Sequence, residues 1–236
     1  MKNHDNKKGW RSEFDQYADD YLTLHKANIA ASGEDPEYFS AYKVAEVARL
    51  LRSVKVDNIL DFGCGIGSSM PHFRAYFPSS SLLCADVSER SLEVAISRFP
   101  NAGEFLLISG DGIELPDASV DLIFTACTFH HIPECEHVHW FRELRRLTRP
   151  NGNFVLFEHN PLNPLTVHAV NTCAFDINAK LIRAARLRQV ISSAGWRNVV
   201  IRYHIFFPHF LAFLRPLERY LSWLPLGAQY SIMAQS

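Results

Sequence analysis

The feature that most constrains this chain is the run Asn58-Ile59-Leu60-Asp61-Phe62-Gly63-Cys64-Gly65-Ile66-Gly67-Ser68-Ser69. It reads as a short buried strand, a turn built almost wholly of glycine, and a helix start that Ser68 or Ser69 can cap. Gly63, Gly65 and Gly67 admit positive φ and let a ligand approach the main chain without meeting a Cβ. An open parallel sheet presents its carboxyl edge to a nucleotide-sized ligand through such a turn. The 236 residues, 47 % hydrophobic and 21 % charged, suffice for one well-cored α/β unit.

The spacing decides which ligand. A dinucleotide fingerprint is G-x-G-x-x-G, with helix amides aimed at a pyrophosphate. Here the glycines are two apart and Asp61 precedes them. A carboxylate there repels phosphate and suits a cationic amine. The run resembles motif I of the class I S-adenosylmethionine-dependent methyltransferases. An NAD-dependent Rossmann oxidoreductase is the rival the spacing disfavours. A non-catalytic binding subunit of the same fold is a second rival, although nothing in the motif is degraded.

The resemblance runs over residues 55–160 in four ordered segments. It implies a Rossmann-like, doubly wound α/β fold: a seven-stranded, mostly parallel sheet with the last strand antiparallel, and N-terminal lid helices. Residues 1–54 form a tail and the lid helices, residues 55–236 the cofactor-binding domain, as a single domain overall. It implies S-adenosyl-L-methionine as methyl donor, with Asp61, Gly63, Cys64, Gly65 and Gly67 around its methionine end. Asp86, followed by Val87, ends the strand Ser81–Asp86, where an acidic residue accepts from two ribose hydroxyls. Asp111, Gly112 and Ile113 take the adenine, and Cys127 ends the apolar central strand. Tyr21, with Tyr17, either touches the cofactor or packs the lid onto the sheet.

The periodicity predicts helices over 12–31, 38–54, 88–99, 134–148 and 178–194, and strands over 104–109, 153–158 and 198–207. Residues 159–176, with Pro161 and Pro164, read as a loop-like, substrate-facing insertion. Residues 208–225 read as an apolar helical run too interrupted to cross a bilayer. That run can lie on a membrane surface, wall an apolar pocket, or pack on the protein's own sheet. Residues 227–234 read as a last strand, antiparallel to the sixth.

Methyl transfer from a sulfonium asks the protein mainly to align nucleophile and methyl, and a hydroxyl acceptor also needs a base. His130, His131 and His159 follow adjacent central strands, so His130 or His131 is expected as base, with Glu158 or His159 orienting it. The alternative is a structural pair, one ring capping the next helix. Oxygen methylation is favoured over nitrogen or carbon, on a small-molecule acceptor with apolar, glycan- or lipid-linked character. Glu134, Glu136 and His137 do not share a helix face, so no metal is expected. A net charge of −1 gives no basic face for nucleic acid. Cys64, Cys84, Cys127, Cys135 and Cys173 form no C-x-x-C pair, and the polar first residues lack a signal peptide. Both point to a reducing cytoplasm. Monomer and homodimer both fit.

Overall fold

The computed structural model describes residues 14–29 and 32–236. The N-terminal tail read from the sequence lies largely outside them. Seven strands form one sheet in the order β3-β2-β1-β4-β5-β7-β6. They are β1 (Asn58–Phe62), β2 (Ser81–Asp86), β3 (Glu104–Leu107), β4 (Val120–Ala126), β5 (Thr148–His159), β6 (Arg197–His204) and β7 (Gln229–Gln235). β3 through β5 pair in parallel, and β7 lies antiparallel between β5 and β6. The crevice at the carboxyl ends of β1 and β4 is the topological switch point, where ligands of open α/β sheets sit.

The period of two along each strand divides the core between the sheet's faces. Ile59, Leu122, Phe124, Val155 and Phe157 pack with Val44, Val47, Met70 and Phe73 from α2 (Pro36–Leu50) and α3 (Met70–Tyr76). Leu60, Phe62, Ile123, Phe154 and Leu156 face the other way. They meet Trp140, Phe141 and Leu144 of α5 (His137–Leu147) and Leu187 and Ile191 of α7 (Ala184–Ser193). The helix α4 (Glu89–Arg98) starts at Ser88, whose Oγ accepts from the Ser91 amide at 3.0 Å.

Four expectations need correction. The N-terminal helix is a 3-10 turn at Phe14–Gln16 and then the shorter α1 (Tyr21–Ile29). Ser69 occupies the N-cap of α3 in a helical conformation and makes no side-chain cap, because the glycine turn already delivers the chain into the helix. The 159–176 segment holds a helix, α6 (Pro164–Thr172), and a 3-10 turn at Ala174–Asp176. Asn163 starts α6 by accepting from the Leu165 and Thr166 amides, and Pro164 sits where no amide is needed. The 209–217 run is a 3-10 stretch kinked at Leu211, followed by the one-turn α8 (Glu218–Leu221). No residue of either is buried, so the run does not pack into the protein's core.

Candidate active site

A cavity of about 780 Å³ opens at the carboxyl ends of β1 and β4. Its floor is the glycine turn. Gly63, Gly65 and Gly67 take φ of +75°, +52° and +76°. A Cβ on Gly63 would meet Thr128 Oγ1 at 2.4 Å, so that glycine is fixed by packing. A Cβ on Gly65 would meet nothing within 4 Å, so it faces the open cradle. Asp86 braces the turn: its Oδ2 accepts from the Gly65 amide at 2.7 Å and its Oδ1 from Ser88 at 2.9 Å. A carboxylate has lone pairs beyond these two, so ribose hydroxyls can still be received.

Asp61 is 2 % exposed at the end of β1. Burial, then the charge of Asp86, raises its pKa to about 8 against the partial relief of Lys43. Lys43 is 7 % exposed on α2 and lines the same cavity. Its ammonium lies 3.4 Å from the Cys127 sulfur. Burial works against a Cys127 thiolate, but His159 and Lys43 outweigh it and bring the thiol down to about 7. A buried carboxyl and a buried ammonium lining one cavity suit a zwitterionic amino-acid group. With the brace at Asp86, these residues fit S-adenosylmethionine.

The other end of the cavity is walled by histidines. His130 is buried, its Nδ1 2.5 Å from Glu158 Oε2 and its Nε2 3.5 Å from Asp176 Oδ1. Glu158 Oε1 also accepts from the Phe129 amide at 2.7 Å. Burial opposes charge on His130, yet Glu158 and Asp176 together hold its proton well above the usual imidazole range. His131 Nε2 is 3.3 Å from Asp176 Oδ1, and burial and the charge of His130 push it down to about 4. His159 lines the cavity, its ring 5.3 Å from that of His130. Glu158 therefore holds the His130 ring in place, and the two carboxylates leave His130 poorly placed to accept a proton.

Tyr21 of α1 lines the cavity and stacks on Phe175 at 4.8 Å, and Thr172 of α6 meets Asn28 of α1 at 3.4 Å. The lid is thus made by α1 and α6 together, and Tyr21 packs as well as faces the site. Cys64, Val87 and Cys127 also line the cavity. Asp111, Gly112 and Ile113 do not. The Ile113 amide donates to Glu143 Oε1 at 2.8 Å, and His139 bonds the Asp111 carbonyl, so this loop is tied to α5, and the cavity wall near it is Ile108. Glu134 pairs with Arg186 at 2.8 Å, and His137 Nε2 bonds the carbonyls of Phe129 and Ile132, so neither faces a shared metal position. Asp176 was missed by sequence reasoning. It lies 45 residues beyond His131, and only the fold of 159–176 brings it there.

Residues 59–152 match the profile of a methyltransferase domain family. Curated relatives are methyltransferases. A malonyl-[acyl-carrier protein] O-methyltransferase of Hahella chejuensis is 27 % identical over 42 % of this chain and 35 % of its own length. The demethylmenaquinone methyltransferase of Lactobacillus johnsonii is 24 % identical over 61 % of this chain and 70 % of its own. The 27-O-demethylrifamycin SV methyltransferase of Amycolatopsis mediterranei is 32 % identical over 42 % and 38 %. The chain thus spans about a third of the length of the first of these. Residues 59–152 thus carry a methyltransferase domain, as the resemblance to the class I S-adenosylmethionine-dependent methyltransferases implies. Solved structures agree on the fold. Phosphoethanolamine N-methyltransferase 2 of Haemonchus contortus, in complex with S-adenosyl-L-methionine, superposes with a TM-score of 0.67 at 15 % identity, covering 97 % of this chain and 60 % of that chain. A SAM-dependent methyltransferase of Aquifex aeolicus gives 0.62 at 17 %, covering 90 % and 96 %. Among the described residues, no helix is long and apolar enough to cross a membrane.

Proposed function

We propose that the chain transfers the methyl group of S-adenosylmethionine to a hydroxyl oxygen of a small or lipid-linked acceptor with a substantial apolar part. One observation carries this reading. A single cavity joins the Asp61–Gly65–Asp86 cradle to a wall of histidines and of apolar residues such as Leu165, Val170, Phe175 and Phe206. Its volume is in the range of about 300–1000 Å³ that ligand sites occupy. The oxygen methyltransferases among the curated relatives support oxygen over nitrogen.

When bound, the donor supplies a methyl on a sulfonium, already a good leaving group. The chain's own part is alignment and charge. Asp61 would receive the donor's ammonium and Lys43 its carboxylate, fixing the methionine end. The lid of α1 and α6 closes over the cavity and keeps water from the reacting atoms. His159, at the end of β5, takes the hydroxyl proton as the O–C bond forms and the C–S bond breaks. His130, held by two carboxylates, positions rather than accepts.

The apolar run beyond β6 belongs to the same reading. Phe206 and Pro208 line the cavity, while Phe210, Phe213 and Trp223 are 73–75 % exposed. A bilayer surface bearing a lipid-linked acceptor, reached from the cytoplasmic side, matches such a face.

The test is an acceptor screen that detects S-adenosylhomocysteine, with hydroxylated quinones, phenols and carrier-linked acids set against amines. Turnover on the oxygen acceptors is expected. Turnover on amines alone would overturn oxygen methylation. Donor binding without any turnover would favour a binding subunit.

A further inference from the structure

At the acceptor end, three donor atoms come together that no motif of the cofactor site uses. His130 Nε2, His131 Nε2 and Asp176 Oδ1 all lie within 4.8 Å of one another, and all three residues line the cavity. Asp176 Oδ1 is 3.5 Å from His130 Nε2 and 3.3 Å from His131 Nε2. Ligands about 2.0–2.2 Å from a cation, at tetrahedral or octahedral angles, sit about 3.0–3.5 Å apart. The Asp176 separations therefore already match the edges of a coordination polyhedron.

Two independent features point to a ligand. His130 Nε2 is buried, and its polar neighbour Asp176 Oδ1, at 3.5 Å, is too far for a good hydrogen bond. Glu158 accepts from the opposite nitrogen, Nδ1, at 2.5 Å, the carboxylate–histidine arrangement that fixes a ligating tautomer. In addition, the buried carboxylates of Glu158 and Asp176 form no ion pair with a lysine or arginine among the described residues. Two negative charges in a dry wall call for positive charge between them, which either a proton on His130 or a bound cation supplies.

We propose that His130, His131 and Asp176 hold a divalent first-row transition cation through Nε2, Nε2 and Oδ1, with Glu158 orienting His130, and that its open positions receive the acceptor oxygen. Two imidazoles and one carboxylate suit Zn²⁺, Mn²⁺, Fe²⁺ or Co²⁺ and are a poor match for Ca²⁺ or Mg²⁺. A cation there draws electron density from a bound hydroxyl, so that its proton passes to His159 more readily. Only the roles toward the acceptor oxygen rest on the methyltransferase reading.

The test uses the full, tag-free chain, stripped with chelator and titrated with Co²⁺, Zn²⁺ and Mn²⁺. Metal content after desalting and the visible bands of bound Co²⁺ are the readouts. One equivalent of cation and a Co²⁺ spectrum are expected. Asp176→Asn and His131→Gln should each weaken binding by at least ~10-fold, and Glu158→Gln, which leaves all three ligands in place, by ~10–100-fold. Circular dichroism and donor binding at the Asp61 end check that each variant folds. A folded chain that binds S-adenosylmethionine but retains no cation overturns the site, since a proton on His130 then suffices. Co²⁺ bands unchanged in both Asp176→Asn and His131→Gln overturn it too. Metal binding without donor binding would instead sink the methyltransferase reading and leave the site standing.

Discussion

The two ends of one cavity are built in opposite ways. The cofactor end comes from consecutive chain: Asp61, Gly63, Gly65, Asp86 and Val87 belong to a single strand–helix–strand passage, and backbone geometry does most of the work. The acceptor end is gathered from the whole length, with Tyr21, His130, His159, Asp176 and Phe206 all on its walls, and side-chain charge does the work. A backbone cradle tolerates little change in sequence. A side-chain wall can be rewritten without disturbing the sheet beneath it. On the proposed function, the acceptor end is therefore where specificity is expected to reside.

Substitutions that separate the two ends test this contrast. The largest effect is expected at His159→Gln, which keeps size and a polar group but cannot take the proton. Turnover on the best oxygen acceptor should fall ~100-fold or more, with the donor dissociation constant unchanged. A loss of less than ~3-fold in kcat would remove His159 as proton acceptor. At the other end, Asp61→Asn should weaken S-adenosylmethionine by ~10–100-fold, the worth of one charge-assisted hydrogen bond. The same change should stabilise the ligand-free chain near pH 8, because it removes a buried carboxylate that ionises there. Calorimetry and thermal melting read the two opposite signs. Equal donor affinity in both proteins would break the assignment of Asp61.

The contrast also explains what could be read before the fold was known. The glycine turn, Asp61 and Asp86 are legible because local spacing alone sets them at a strand end. The individual strands follow from periodic patterns, and the antiparallel last strand is what the resemblance implied, whereas the strand order is visible only in the fold. Asp176 was not legible, since nothing in Phe175-Asp176-Ile177 marks it apart from an ordinary turn acid. Its role depends on α6, which Pro161 and Pro164 disguised as loop although Pro164 sits at the start of the helix. The run at 208–225 misled in the other direction. Its Phe, Leu and Trp content suggested packing on the sheet, whereas Glu218 ties it to the end of β6 through the Phe206 and Phe207 amides and leaves its rings outward.

A finer comparison comes from pH. Asp61 titrates near 8 when folded, against an ordinary 3.8. Between these values the folded chain holds a proton that the unfolded chain has lost. The ligand-free protein should therefore lose stability as pH rises from about 4 to 8, by at most about 6 kcal/mol. A donor ammonium needs the ionised carboxylate, so donor binding releases that proton. Affinity for S-adenosylmethionine should rise ~10–30-fold from pH 6 to pH 7.5, close to tenfold per pH unit. Asp61→Asn should flatten that slope. A slope that persists in the variant would assign it to another group and blur the division between the two ends.

The smallest effect on the fold is expected where the acceptor wall meets the outside. Phe210, Phe213 and Trp223 are three-quarters exposed, so replacing each with Ser should change stability by no more than ~0.5 kcal/mol. Donor affinity should not move, since none of the three lines the cavity. Co-sedimentation with anionic liposomes should fall several-fold in the triple variant, and turnover should fall only for acceptors presented in vesicles. Rings that lie against a bilayer contribute through buried apolar area alone, so the losses should add from one substitution to the next. Liposome binding that survives all three changes would mean that the wall ends at Phe206 and Pro208, and that the acceptor arrives through water.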